Sequence, residues 1–177
     1  MASKRDLTKH LNDLSKEALI KEIAKLYQKF GEVKTFYDIE LSGDTSAVVQ
    51  KVKDKIKKEY MPDRGFGKAS SSEVKKVISE FAKVSIYPMD LIDVILYRVE
   101  MAIEFTNAYG DIDIQFYNSA VNAFHNALEL IQKEMLKEKF KHRCSEIVYS
   151  TRNIGWGFHD ELENAYNDYF MACNNNK

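Results

Sequence analysis

The segment from residue 62 to residue 73, PDRGFGKASSSE, combines residue types that together can hold an anion. Its two glycines allow backbone conformations that other residues disfavour, and its arginine and lysine bring positive charge. Ser70 and Glu73 have the spacing of a capping box, which predicts that a helix begins here and offers unpaired backbone amides. The predicted anion-binding residues are Arg64, Gly65, Gly67, Lys68, Ser70, Ser71 and Ser72.

The same segment also suits an ordinary connection between two helices. In that interpretation the glycines satisfy turn geometry, Phe66 fills a neighbouring groove and Arg64 is solvated or paired. The segment is neither a Walker loop nor a dinucleotide fingerprint, because GxxxxGK[ST] is absent and a helix, not a strand, precedes it. Flanking lysines would extend the segment into a patch for a phosphate backbone, so nucleic acid stays a less favoured partner.

A polar stripe on an otherwise apolar helix is the second candidate site. Asp93, Tyr97, Glu100, Glu104 and Asn107 recur at steps of three and four, so they share one helix face. With two following aspartates and a histidine from the last loop, this face offers the oxygen and imidazole ligands that suit a divalent metal. The ligands predicted under this alternative, a metal-dependent hydrolase, are Glu100, Glu104, Asp111, Asp113 and His159.

These acidic residues also fit a structural role. Asp111 or Asp113 is suited to cap the following helix, and Asp160 and Glu161 favour the positive end of the last one. Neither HExxH nor a paired Glu-x-x-His pattern occurs in the sequence, and we predict no catalytic residue and no cofactor. Trp156, set between two glycines, favours packing over a helix junction, with a recognition role as its alternative.

The elements that must position these residues are helices. The 177 residues include only 2 prolines and 7 glycines, and the apolar residues recur at helical steps. About nine helices with short loops predict an all-α, irregular multi-helix bundle, with a short stack of helical pairs as the alternative. The apolar segment from Met89 to Ala108 predicts a central, most buried helix, and residues 174–177 are expected to fray.

Charge and composition limit the function classes. The formal net charge of −1 excludes a globally basic nucleic-acid-binding protein, although residues 51–83 hold ten basic and five acidic side chains. The two cysteines lack metal-binding spacing, and no apolar run is long enough to span a membrane. We therefore expect a cytoplasmic protein that does not enter the membrane.

Five stretches carry a resemblance to a known family: LSKEALIKEIAKLY, KTFYDIEL, PDRGFGKA, VEMAIEFTNAYGDID and IGWGFHDEL. Together they resemble an uncharacterised family of bacterial all-helical proteins, classed as a domain of unknown function. The resemblance implies one domain over residues 1–177 and a bacterial, cytoplasmic setting, and it brings no activity or ligand with it. Our leading prediction is a non-catalytic helical binding or interaction protein, whose partner is a protein or an anionic ligand.

Overall fold

A computed structural model describes residues 2–171 of the chain. Within that range all regular secondary structure is helical and forms nine α-helices, which confirms the all-α prediction. Cys173 and the predicted fraying of residues 174–177 lie outside the described residues. The chain divides into two compact units, Met1–Asp44 and Thr45–Lys177, so one domain over residues 1–177 stays a prediction.

The first unit contains three helices: α1 (Lys4–Asn12), α2 (Lys16–Lys29) and α3 (Gly31–Ser42). Serine caps begin two of them, because Ser3 forms a capping box with Asp6 and the Ser15 hydroxyl accepts a hydrogen bond from the Ala18 amide. Helix α3 ends at Gly43, whose positive φ of 65° suits glycine. Neither α1 nor α2 contains a fully buried residue, so this unit leaves much of its apolar surface exposed.

The second unit contains six helices: α4 (Ser46–Tyr60), α5 (Ser71–Val84), α6 (Pro88–Tyr109), α7 (Ile114–Lys133), α8 (Lys137–Ser150) and α9 (Phe158–Phe170). Helix α6 packs against α4, α5, α7 and α8, which makes this unit an irregular bundle around one helix and not a stack of pairs. Half of the 22 residues in α6 are buried, which confirms that it is the central helix.

Across residues 2–171, no helix has both the length and the apolar character that crossing a lipid bilayer requires.

We expect Leu96→Ala to lower the free energy of unfolding by about 2–5 kcal/mol, because it opens a cavity in the packed centre of the second unit. Leu96 is 0% exposed, whereas Met135, in the same unit, is 89% exposed. Met135→Ala is therefore the control and should change stability by less than ~0.5 kcal/mol. Urea denaturation of both variants measures the difference, and equal effects would contradict a core centred on α6.

Candidate functional site

Arg98, in the centre of α6, is a buried arginine. It is 4% exposed, and its Nη2 donates a hydrogen bond to the Oγ of Ser119 at 2.5 Å. Its Nε is buried without a hydrogen-bond partner, and within residues 2–171 no aspartate or glutamate forms an ion pair with it. A buried charge held only by neutral groups is unfavourable.

The Tyr60 hydroxyl of α4 lies beside Arg98, and the charge of Arg98 affects its pKa. Burial raises the pKa of Tyr60 above that of an exposed tyrosine, while the charge of Arg98 and its hydrogen bonding oppose that rise. Tyr60 therefore stays a neutral phenol at physiological pH and does not neutralise the guanidinium.

Ser119, which accepts the hydrogen bond from Arg98, also lines a surface cleft with a volume of about 550 Å³. The polar side of this cleft, here termed the α5–α7 cleft, is formed by Lys68, Ser71, Ser72, Asp113, Gln115 and Ser119. Its apolar side is formed by Ala69, Phe105, Ile112 and Phe116. Its volume lies in the range of small-molecule sites, and its lining mixes apolar side chains with a few polar groups, as such sites do.

Two helices begin at the α5–α7 cleft. Ser71 and Ser72 are the first residues of α5, and Gln115 belongs to the first turn of α7. Within the described part of the chain, the backbone amides of Ser71, Ser72 and Gln115 donate to no acceptor. Because unpaired amides and the helix dipole make a helix N-terminus attractive to anions, both helix ends add positive potential to the cleft.

The loop that carries Lys68 is fixed against the end of α4. A Cβ atom at Gly67 would lie 1.8 Å from the carbonyl oxygen of Tyr60, so only glycine fits there. The Ala69 amide donates to the Glu59 carbonyl at 3.0 Å, and the Ser70 amide donates to the Glu59 Oε1 at 3.1 Å. Ala69 has a φ of 46°, in the region that favours glycine. These contacts place the exposed Lys68 side chain on the rim of the cleft.

Asp113 is the acidic residue among those that line the cleft. It caps α7, because its Oδ1 accepts a hydrogen bond from the Phe116 amide at 2.8 Å. Its negative charge opposes an anion in the cleft, and the charges of Lys68 and Arg98 favour one. The Glu59 carboxylate, which accepts a hydrogen bond from the Ser70 amide, is a second negative charge near the cleft. A substitution at Asp113 therefore tests whether an anion binds there.

The structure brings part of the predicted anion-binding set together. Lys68, Ser71 and Ser72 line the α5–α7 cleft, and the Ser70 hydroxyl caps α5 by accepting a hydrogen bond from the Glu73 amide. Arg64 instead lines a separate cleft formed with Lys57, Lys58 and other residues around the end of α4. Gly65, next to it, adopts a φ of 77° and is exposed, as a turn glycine is. Arg64 and Lys68 thus do not meet in one cleft.

Sequence reasoning missed Arg98 and Ser119. A signal was present, because Arg98 interrupts the apolar run of α6 and stands outside the polar stripe formed by Asp93, Glu100 and their neighbours. An arginine on the apolar face of a predicted central helix must be buried with a partner or beside a cavity. Which partner it meets depends on how α7 packs, and the sequence does not show that.

The acidic stripe of α6 is occupied by cations from neighbouring helices. Arg143 of α8 donates to Glu100 through its Nε at 2.6 Å and its Nη2 at 3.0 Å, and through its Nη1 to the Asp93 Oδ1 at 2.5 Å. Lys53 of α4 lies 2.7 Å from the Asp93 Oδ2. Burial lowers the pKa of Arg143, but its hydrogen bonds and charge interactions with Glu100 and Asp93 outweigh that effect and raise it. This cluster ties α4, α6 and α8 together.

The predicted metal ligands lie in different environments. Glu100 is held by Arg143, and Glu104 is exposed. Asp111 accepts a hydrogen bond from the Tyr117 hydroxyl at 3.3 Å, and the Nδ1 of His159 lies 3.0 Å from the Thr151 Oγ1. Among residues 2–171, no group of three or more His, Cys, Asp or Glu side chains is placed to hold a metal ion. The structure does not bring Glu100, Glu104, Asp111, Asp113 and His159 together.

Two further side chains with a possible functional role, a tryptophan and a cysteine, pack against their neighbours. Trp156 stacks on the Tyr117 ring with the centroids 6.5 Å apart, although it stays 53% exposed. Cys144 is buried, and burial raises the pKa of its thiol to about 12. At neutral pH that thiol is protonated and is therefore a poor nucleophile.

A model of a family of unknown function (DUF6155) matches residues 2–170. The described residues form an all-helical fold with a mixed polar and apolar cleft in the second unit. The chain belongs to this family, which confirms the resemblance to a domain of unknown function. No curated protein matches the chain, and neither does any solved structure.

We expect Glu100→Gln to lower the free energy of unfolding by about 1–2 kcal/mol, because it weakens the two-pronged, charge-assisted contact with Arg143. Glu104→Gln, one turn further along the same helix, is the control and should stay within ~0.5 kcal/mol of the parent because Glu104 is exposed. Chemical denaturation with and without manganese or zinc measures both. If both variants lost the same free energy of unfolding, and only in the presence of metal, the metal hypothesis would be favoured instead.

We expect Arg98→Met to leave the free energy of unfolding within about 1 kcal/mol of the parent or to raise it, because methionine fills similar space without a buried charge. The lost hydrogen bond to Ser119 opposes this gain. The same variant should lose anion binding in the α5–α7 cleft. A fall of more than ~2 kcal/mol in stability would instead show that Arg98 mainly supports the fold.

Proposed function

We propose that this protein is a non-catalytic binding protein for a small phosphorylated ligand, whose phosphate group occupies the α5–α7 cleft. The observation that carries this proposal is the buried guanidinium of Arg98, which contacts the cleft residue Ser119 and has no acidic partner within residues 2–171. A protein that keeps a buried charge of this kind accepts a stability cost, and such costs are concentrated at functional sites.

The hydrogen bond between Arg98 and Ser119 supports a role for Ser119 in binding. The Ser119 oxygen accepts from the guanidinium, so its own proton is left to donate to another acceptor. A phosphate oxygen in the cleft is such an acceptor, and the chain from Arg98 through Ser119 to the phosphate strengthens each of its hydrogen bonds. In this way a buried charge acts on a ligand in the cleft.

The remaining polar groups of the cleft suit the shape of a phosphate. The amides of Ser71 and Ser72 lie at the start of α5, and Lys68 lies on the rim. A phosphate has several oxygens that accept hydrogen bonds at once, so it can use backbone amides, a hydroxyl and an ammonium group together. A chloride or a single carboxylate would leave some of these donors unused.

The two alternative functions have weaker support in the geometry. A metal-dependent enzyme would need Glu100 and Glu104 free to bind an ion, whereas Glu100 is paired with Arg143. Binding of a long nucleic acid through residues 51–83 would rely on lysines spread over α4 and α5 and on the cleft that Arg64 lines, where Asp54 and Asp63 oppose an anion. A cytoplasmic location and a bacterial origin fit the proposal and stay predictions.

We expect Lys68→Ala to weaken the binding of inorganic phosphate about tenfold, because it removes a charge-assisted contact worth about 1.5 kcal/mol. Lys75→Ala changes the net charge equally but lies on α5 outside the cleft lining, and it is the matched control, with an expected change below roughly twofold. Isothermal titration calorimetry at two salt concentrations measures both. Equal losses would indicate diffuse attraction to a lysine-rich surface and would contradict a localised site.

In the same titration, we expect Asp113→Asn to strengthen phosphate binding, whereas Lys68→Ala weakens it. Asparagine keeps an acceptor for the Phe116 amide and caps helices well, but it removes a negative charge from the cleft. Phosphate should therefore bind roughly two- to fivefold more tightly to this variant. Tighter binding would also argue against Asp113 as a metal ligand, whereas weaker binding would contradict a phosphate in the cleft.

A further inference from the structure

An exposed aromatic pair adjoins the α5–α7 cleft. Phe66, in the loop between α4 and α5, is 81% exposed, and its ring lies 5.2 Å from the Tyr109 ring at the end of α6. The Tyr109 ring lies 4.8 Å from that of Phe105, which forms part of the apolar side of the cleft. Rings therefore run without interruption from the cleft to solvent.

The exposure of Phe66 does not come from a loosely held loop. Three and four residues after it, the chain is bonded to the end of α4: the Ala69 amide donates to the Glu59 carbonyl, and the Ser70 amide donates to the Glu59 Oε1. Gly67, directly after Phe66, is pressed against the Tyr60 carbonyl. The backbone directly after Phe66 is thus held in place, and ordering a binding segment before the ligand arrives reduces the entropy lost on binding.

We infer that the ligand of the α5–α7 cleft is a nucleoside phosphate, with its phosphate beside Ser119 and Lys68 and its base stacked on the Phe66–Tyr109 pair. This inference rests on the proposed phosphate site. An aromatic ring accepts any base because every base has a π-face, so the pair selects for a base without selecting which one. A phosphate site accounts for Arg98 and Lys68, and a planar group on the same ligand would cover the exposed ring of Phe66, which lies two residues before Lys68.

The nucleoside phosphate has two sources with the same chemistry: a free mononucleotide, or the phosphorylated end of a nucleic acid strand. The cleft volume of about 550 Å³ suits a ligand of mononucleotide size. The basic residues of α4 and α5 would contribute further only to a strand, because a strand carries additional phosphates past the cleft.

The test compares three probes that differ by one group each: inorganic phosphate, ribose 5-phosphate and adenosine monophosphate. Their affinities are measured by calorimetry for the parent protein and for Phe66→Ala. We expect adenosine monophosphate to bind most tightly, and Phe66→Ala to weaken it roughly 5- to 150-fold, the range for loss of one base-stacking contact. Phosphate and ribose 5-phosphate should bind the variant as they bind the parent.

Two further variants guard against indirect effects. Tyr149→Ala removes another exposed aromatic ring, 65% exposed on α8 and not part of the cleft lining, and should leave all three affinities unchanged. Phe66→Trp keeps a stacking surface and should restore binding of adenosine monophosphate. A titration with a 5′-phosphorylated oligoadenylate then identifies the source. If the oligonucleotide binds more tightly than adenosine monophosphate, and Phe66→Ala abolishes this gain, the ligand is a strand end. If the oligonucleotide binds more weakly, the ligand is a free nucleotide.

The outcomes separate this inference from the proposed function. If phosphate binds in a Lys68-dependent way but adenosine monophosphate binds no more tightly than ribose 5-phosphate, the phosphate site stands and the base-stacking inference is overturned. If none of the three probes binds at low salt, both fail. If Phe66→Ala weakens phosphate as much as adenosine monophosphate, the substitution has disturbed the loop, and base stacking on Phe66 is contradicted.

Discussion

A guanidinium keeps its charge inside a protein, and so the positive charge of Arg98 constrains everything around the middle of α6. The helix cannot rotate to expose this residue, because half of its residues are buried against neighbouring helices. The charge is therefore met where it lies, by the Ser119 hydroxyl of α7 and beside the Tyr60 phenol of α4, both neutral. Because neither group is negatively charged, we propose that an anion in the adjoining cleft compensates the charge of Arg98.

Arg143 differs from Arg98 because it is paired with carboxylates, and this pairing stabilises the fold. Arg143 contacts two carboxylates on the opposite, polar stripe of the same helix, and Lys53 joins the cluster from α4. Both oxygens of Glu100 are used, so the cluster is complete without a ligand. By contrast, the Nε of Arg98 has no hydrogen-bond partner in the part of the chain that the structure describes. Helix α6 thus carries a complete ion cluster on one face and, on another face, an arginine with a hydrogen-bond donor that no described residue uses.

Local spacing in the sequence was sufficient to predict the helical class, the centrality of α6, the cap at Ser70 and a cap at Asp111 or Asp113, because these features depend on residues close in the chain. It was also sufficient to single out Lys68 and the start of α5. It could not place Arg64 on a different cleft from Lys68, since the two lie four residues apart and only the path of the loop separates them. Nor could it pair Glu100 with Arg143, which lies 43 residues further along the chain.

Three locally unfavourable features lie in or beside the α5–α7 cleft, and their coincidence favours a binding site there. Arg98 is a buried charge without an acidic partner among residues 2–171, Ala69 holds a φ of 46°, and Phe66 exposes most of its ring to water. A strained residue alone costs on the order of 1–3 kcal/mol, and a folded protein has little stability to spare. Each feature taken singly has a local explanation. Together they favour a site where a charged ligand with a planar group offsets what the unliganded chain leaves unsatisfied, because local rules are broken mainly where function requires it.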